Sequence, residues 1–268
     1  MKTFITKYPV AVFIGLTFFI TFPVAFLLSI VFGHKNAFLN YIPQVVGPYG
    51  PALSALMVTG VTLGSAGVIQ LLRKLKPIGK HIWWYILLPL AGIIITSCAF
   101  IAGGVPAGKI VMIICENPGP LALMFLVVTL KVGIGEELGW RGWLLPKLIK
   151  DQKPIKATLL VFVVWAVWHL QYFSKTWQIL IPFLVLIFSL AFLFTWIWHK
   201  VNGDIFLIAI AHASVDFPEF FIENKSRSLG YDNHLIMAWA ILSVIYAAIA
   251  IILYLSTRSW WHTTQSPN

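Results

Sequence analysis

The sequence predicts an all-α, polytopic membrane protein with about eight transmembrane helices around a polar cavity, and three observations carry that prediction. Of 268 residues, 59% are hydrophobic and only 10% charged, whereas a soluble domain carries about 25% charge. The mean hydropathy is +0.88, and the apolar residues form continuous runs rather than the alternating pattern of a transmembrane barrel. Of only nine acidic residues, four (Glu136, Glu137, Asp216 and Glu219) fall within or at the ends of such runs. Ionisable groups at that depth are costly and mark function by default.

At about 20 apolar residues per crossing, the spans are drawn at 9–32, 41–62, 82–104, 121–141, 157–173, 179–198, 205–222 and 235–256. The first follows Lys2 and Lys7 and is apolar from Val10 to Phe32. That is longer than the roughly 7–15 residues of a signal-peptide core, so it reads as a retained span that also targets the chain. Early in the second, Gly47-Pro48-Tyr49-Gly50-Pro51 reads as a helix kink. The third contains Cys98; with Cys115 the only other cysteine, no disulfide framework or metal-type spacing is implied. The fourth carries Lys131, which snorkels or pairs with a carboxylate such as Glu219, and leads into an interfacial stretch from Gly142 to Lys147. The fifth holds Trp165-Ala166-Val167-Trp168-His169, and the seventh holds His212-Ala213-Ser214-Val215-Asp216. Trp83, Trp84, Trp260 and Trp261 lie at span ends, as an aromatic belt does. No linker or repeat interrupts the pattern, so residues 1–268 read as a single membrane domain.

The formal charge of +10 sits in short loops between apolar runs. It therefore points to anionic lipids beside basic loops and to no nucleic acid. With the N-terminus inside, inner segments hold twelve of the 19 lysines and arginines. Outer segments hold Lys35, Lys109, Lys175, Lys225 and Arg227, and Lys131 and Arg141 fall in the fourth span. This excess places both termini in the cytoplasm, and an integral protein of the plasma membrane is expected.

Glu137 and Arg141 stand four residues apart, stack on one helical face and form a natural ion pair. Glu136 points about 100° away, has no local partner, and is left as a free base. His212 and Asp216 share a face in the same i, i+4 manner, whereas Ser214 between them faces about 160° from Asp216. The remaining acids, Glu116, Asp151, Asp204, Glu223 and Asp232, fall in loops, as do His34, His81, His199, His234 and His262. Three chemistries could use the buried set. Glu136 and His169 could activate water while His212 and Asp216 hold an oxyanion. His169, His212 and a carboxylate, Glu136 or Asp216, could ligate a divalent metal such as zinc. The same groups could relay protons in a transporter.

Glu-Glu-x-x-x-Arg, then aromatic-x-x-x-His, then His-x-x-x-Asp, each in an apolar run, resembles the CAAX protease and bacteriocin-processing (CPBP) family of intramembrane proteases, CAAX prenyl endopeptidase type 2-like, over about residues 121–222. The resemblance implies an eight-helix fold, a cavity open to the cytoplasmic side, and hydrolysis of a membrane-embedded or lipid-anchored peptide. It makes Glu136 the catalytic base and His169, His212 and Asp216 its companions in activating water and stabilising the oxyanion, with the metal question open. Trp165 stands where the family usually has phenylalanine, and Asp216 where eukaryotic-type members have asparagine. An ionised Asp216 would repel an oxyanion, so it must be protonated, paired with His212 or bound to a metal. A non-catalytic immunity or scaffold protein is the alternative, and a proton-coupled transporter a weaker one. The drawn spans leave one conflict: at 1.5 Å per residue, His169 lies about 18 Å up its span and His212 about 11 Å, but Glu136 only about 8 Å from Arg141.

Overall fold

A computed structural model describes residues 2–32 and 37–263; His34 and Lys35 lie outside them. Every regular element among the described residues is helical. Eight longer helices follow in order: α1 Pro9–Phe32, α2 Gly50–Arg73, α3 Ile82–Ala102, α4 Pro118–Asp151, α5 Pro154–Trp168, α6 Trp177–Lys200, α7 Ile205–Ser228 and α8 Leu235–Ser256. Six of them, all but α4 and α5, are long and apolar enough to cross a membrane. The α4 helix forms a pair with the preceding Ala107–Cys115, bent by 79°, and counting that pair as one span brings the total to seven. At 15 residues, α5 is too short to reach the roughly 20 that a crossing takes.

Two helix boundaries differ from the sequence reading in ways that matter. The Gly47–Pro51 stretch is a turn, with α2 starting at Gly50 and Pro51 in its first turn, where a missing N–H costs nothing. It is not a kink within a span. The true break in α2 lies at Gly64, whose φ of 69° and ψ of −166° only glycine adopts easily. The second boundary resolves the depth conflict. Helix α4 does not stop near Arg141 but runs on to Asp151, so Glu136 stands fifteen residues, about 22 Å, from its end. His169 stands fifteen residues beyond Pro154, where α5 begins. The two side chains are thus level.

Helix α7 is the centre of the bundle. Within its apolar window 83% of residues are buried, against 50% for α6, the next most enclosed. It packs on α3, α4 and α6, and glycines allow the close approach. A Cβ on Gly92 would collide with the Ser214 backbone, and one on Gly133 with that of Ala209. The same device joins α4 to the start of α2, where a Cβ on Gly135 would meet Pro48 and one on Gly139 would strike Pro51.

Several polar residues read as solvated prove structural. Asp204 is buried and caps α7, accepting from Leu207 N–H at 3.0 Å, Ile78 N–H at 3.0 Å and the Tyr85 hydroxyl at 2.9 Å. Glu223 lies inside α7 rather than in a loop. Trp261 is fully buried against Phe192 and not in a belt, and His199, in the last turn of α6, stacks on Trp260 at 4.1 Å. Cys98 and Cys115 are free.

The glycine contacts predict opposite outcomes for two alanine substitutions. Gly139→Ala should destabilise the fold by about 1–3 kcal/mol through overpacking. Gly119→Ala, where a Cβ meets nothing within 4 Å, should be neutral or stabilise by up to about 1 kcal/mol. Unfolding midpoints of the purified variants in detergent check both signs.

Candidate active site

The helix that carries the glutamate pair is irregular. Thr129–Gly133 and Trp140–Leu144 are wide, π-type turns flanking the regular stretch Ile134–Gly139. Such turns release backbone carbonyls and occur often at functional sites. Both released regions are held from outside: the Tyr49 hydroxyl donates to the Leu130 carbonyl at 2.7 Å, and Lys74 Nζ donates to the Gly142 carbonyl at 2.7 Å.

Glu137 is the hub of the buried network. Arg141 Nη1 donates to both of its oxygens, at 2.8 and 3.1 Å. His212 Nδ1 lies 2.7 Å from Oε1 of the same carboxylate. Because the carboxylate can only accept, Nδ1 carries the proton, and Nε2 is turned towards Asp216 Oδ2 at 3.4 Å. The pairing of Glu137 with Arg141 was legible in the sequence; its grip on His212, from another helix, was not. The guanidinium also lies over two rings, 4.4 Å from the centre of Trp165 and 5.1 Å from that of Phe194.

Glu136 is not partnerless, as the sequence suggested. Its Oε2 accepts from Trp165 Nε1 at 2.7 Å and from Trp140 Nε1 at 3.4 Å. His169 ends α5 and holds its Nδ1 at 2.9 Å from the Trp165 carbonyl, which fixes the proton there and leaves Nε2 as an acceptor. Glu136, His169, His212 and Asp216 line one cavity of about 90 Å³, which has room for several waters. Tyr172, Phe183, Glu219, Phe220 and Trp239 are among the other residues that line it. Its lining comes mainly from the C-terminal end of α5, the first half of α6, the middle of α7 and the start of α8, so it lies in the half of the bundle away from the termini.

The donor set does not fit a divalent cation. Both nitrogens of His212 are engaged by carboxylates, and no three His, Cys, Asp or Glu side chains among the described residues are arranged to hold a metal. His169 with the Trp165 carbonyl, and His212 with Glu137 and Asp216, form two separate hydrogen-bonded groups facing one space.

Residues 118–218 match the family model described as Type II CAAX prenyl endopeptidase Rce1-like. The match is to the family that the order of motifs resembles, and it begins on the first residue of α4 and ends two residues beyond Asp216. All six residues singled out above fall inside this Rce1-like segment. No curated protein matches the chain. Within the segment, Trp165 uses both parts of its indole, the N–H donating to Glu136 and the aromatic face covering Arg141. Tyr172 and Trp140 went unassigned in the sequence, and Glu219, which carried a signal as an acid inside an apolar run, was offered only as a partner for Lys131.

Trp165→Phe keeps the ring and deletes the donor. It should lower stability by about 1–3 kcal/mol, the range for a hydrogen bond to a carboxylate, read as a fall in the thermal midpoint. Trp168→Phe, whose indole bonds the Thr21 hydroxyl, should cost less.

Proposed function

We propose that the chain is an intramembrane endopeptidase that cleaves a membrane-embedded or lipid-anchored peptide with an activated water. The observation that carries this reading is the convergence of Glu136, His169, His212 and Asp216, from α4, α7 and the end of α5, on one cavity. Glu136 and His169 Nε2 take a proton from a water held between them, and its oxygen attacks the peptide carbonyl carbon. As the C–O bond forms, the carbonyl electrons move to oxygen, and the proton on His212 Nε2 faces that oxyanion. Glu137 holds the imidazolium in place through Nδ1. Asp216 shares the Nε2 proton, so that its charge is paired with His212 rather than set against the oxyanion. The abstracted proton passes to the leaving amine as the C–N bond breaks, giving an acid and an amine. No step requires a metal.

We further propose a plasma-membrane location with both termini cytoplasmic, on the strength of the lysine and arginine asymmetry. The cavity then belongs to the outer half of the membrane, contrary to the cytoplasmic opening that the resemblance implies. Anionic lipid fits the terminus-bearing end, where Lys74, Lys147 and Lys150 line one pocket. Burial first, and then the Lys147 and Lys150 ammoniums, push the Lys74 amine below the usual lysine range.

Glu136→Gln should reduce cleavage of a reporter peptide by at least about 100-fold with an unchanged unfolding midpoint. Equal cleavage by variant and parent ends the hydrolase reading, and an immunity or scaffold protein would instead keep its cellular phenotype in the variant. A topology reporter fused after Asn268 should give a cytoplasmic signal; an external signal reverses the orientation and returns the cavity to the cytoplasmic half.

A further inference from the structure

One wall of the cavity has no part in the proposed hydrolysis. Glu219 on α7 is only 4% exposed, lines the cavity beside His212 and Asp216, and leaves Oε1 without a hydrogen-bond partner. Its charged neighbours are the carboxylates of Asp216 and Glu223. Glu223 is already engaged, accepting from Arg227 Nη2 at 2.8 Å and from Trp239 Nε1 at 2.9 Å. Among the described residues no cation pairs with Glu219 and no donor reaches its Oε1, so a buried carboxyl group with unused hydrogen-bonding capacity stands on the cavity lining.

The surroundings specify the kind of cation. Tyr172, Phe183, Phe220 and Trp239 line the same cavity, with the Tyr172 and Phe183 rings stacked at 3.9 Å. A carboxylate flanked by aromatic faces suits an organic cation, which gains an ion pair and ring contacts together. Among the described residues no three acids are set for a metal ion, so the geometry favours a bulky cation over a compact one.

We propose that Glu219, with Tyr172 and Trp239, forms a subsite that takes a lysine or arginine side chain of the bound peptide. The proposal rests on the peptide-binding reading above and extends it to sequence preference. Glu219 lies seven residues beyond His212, about 10 Å along α7. An extended peptide advances about 3.3–3.6 Å per residue, so the basic residue stands within about three positions of the bond that His212 faces.

The test uses full-length Glu136→Gln protein in detergent, read by binding rather than turnover. The probes are fluorescent decapeptides in pairs, identical except for arginine or citrulline at one position scanned across the peptide. At the best position the arginine peptide should bind about tenfold more tightly than its citrulline twin. Adding Glu219→Gln should bring the twins level, and adding Tyr172→Leu instead should cut the preference at least threefold (roughly, from the lost ring contact). Twins that bind equally at every position, peptides that do not bind, or a preference that survives both variants would overturn the subsite. Binding in this background does not depend on hydrolysis. An arginine preference without cleavage by the parent protein would sink the peptidase reading alone.

Discussion

The structure depends on one buried charge chain, Arg141 to Glu137 to His212. Arg141 and Glu137 are both completely enclosed, and in a low-dielectric interior neither could persist without the other. Because Glu137 also holds Nδ1 of His212, the chain ties α4 to α7 at the level of the cavity and fixes which nitrogen of that imidazole faces inward. Two further atoms of the guanidinium, Nε and Nη2, have no hydrogen-bond partner. The rings of Trp165 and Phe194 lie across the guanidinium instead, and their negative faces offset part of that deficit.

Backbone design makes the chain possible. Helix α4 can bring Glu137 against α7 only because Gly133 lets the two backbones touch, and it can lean on α2 only because Gly135 and Gly139 meet Pro48 and Pro51 without side chains in between. The π-type turns on either side of the glutamates then change the angular spacing of side chains along the helix. Trp140 reaches Glu136 and Arg141 reaches Glu137 by ordinary i, i+4 spacing from the regular stretch between those turns. The carbonyls freed by this widening are met by Tyr49 and Lys74, so the irregularity is supported and not merely tolerated.

Much of this was legible in the sequence, and what was not has physical causes. Hydropathy located the long helices because a membrane demands continuous apolar runs. It misplaced the ends of α4 because Arg141 and the segment up to Asp151 are amphipathic, and a helix can continue where lipid does not. The Glu137–Arg141 pair was readable because i and i+4 share a face. The bond from Glu137 to His212 spans 75 residues, and no local spacing announces a contact of that range. Asp204 was misread for a related reason: a short acid in a loop looks solvated until the loop closes over it.

Adjacent glutamates invite the idea that they act as a pair, yet the structure separates them by saturation. Every acceptor that Glu137 offers towards the protein is filled by Arg141 or His212, which suits a group that must not move or exchange protons. Glu136, one residue earlier and about 100° around the helix, is held through one oxygen by indole donors and keeps its place on the cavity wall. The indole of Trp165 serves both, bonding Glu136 with its edge and covering Arg141 with its face, so a single side chain divides the fixed half of the site from the half left open to water. That division is what lets neighbouring residues of one type play different parts in so confined a space.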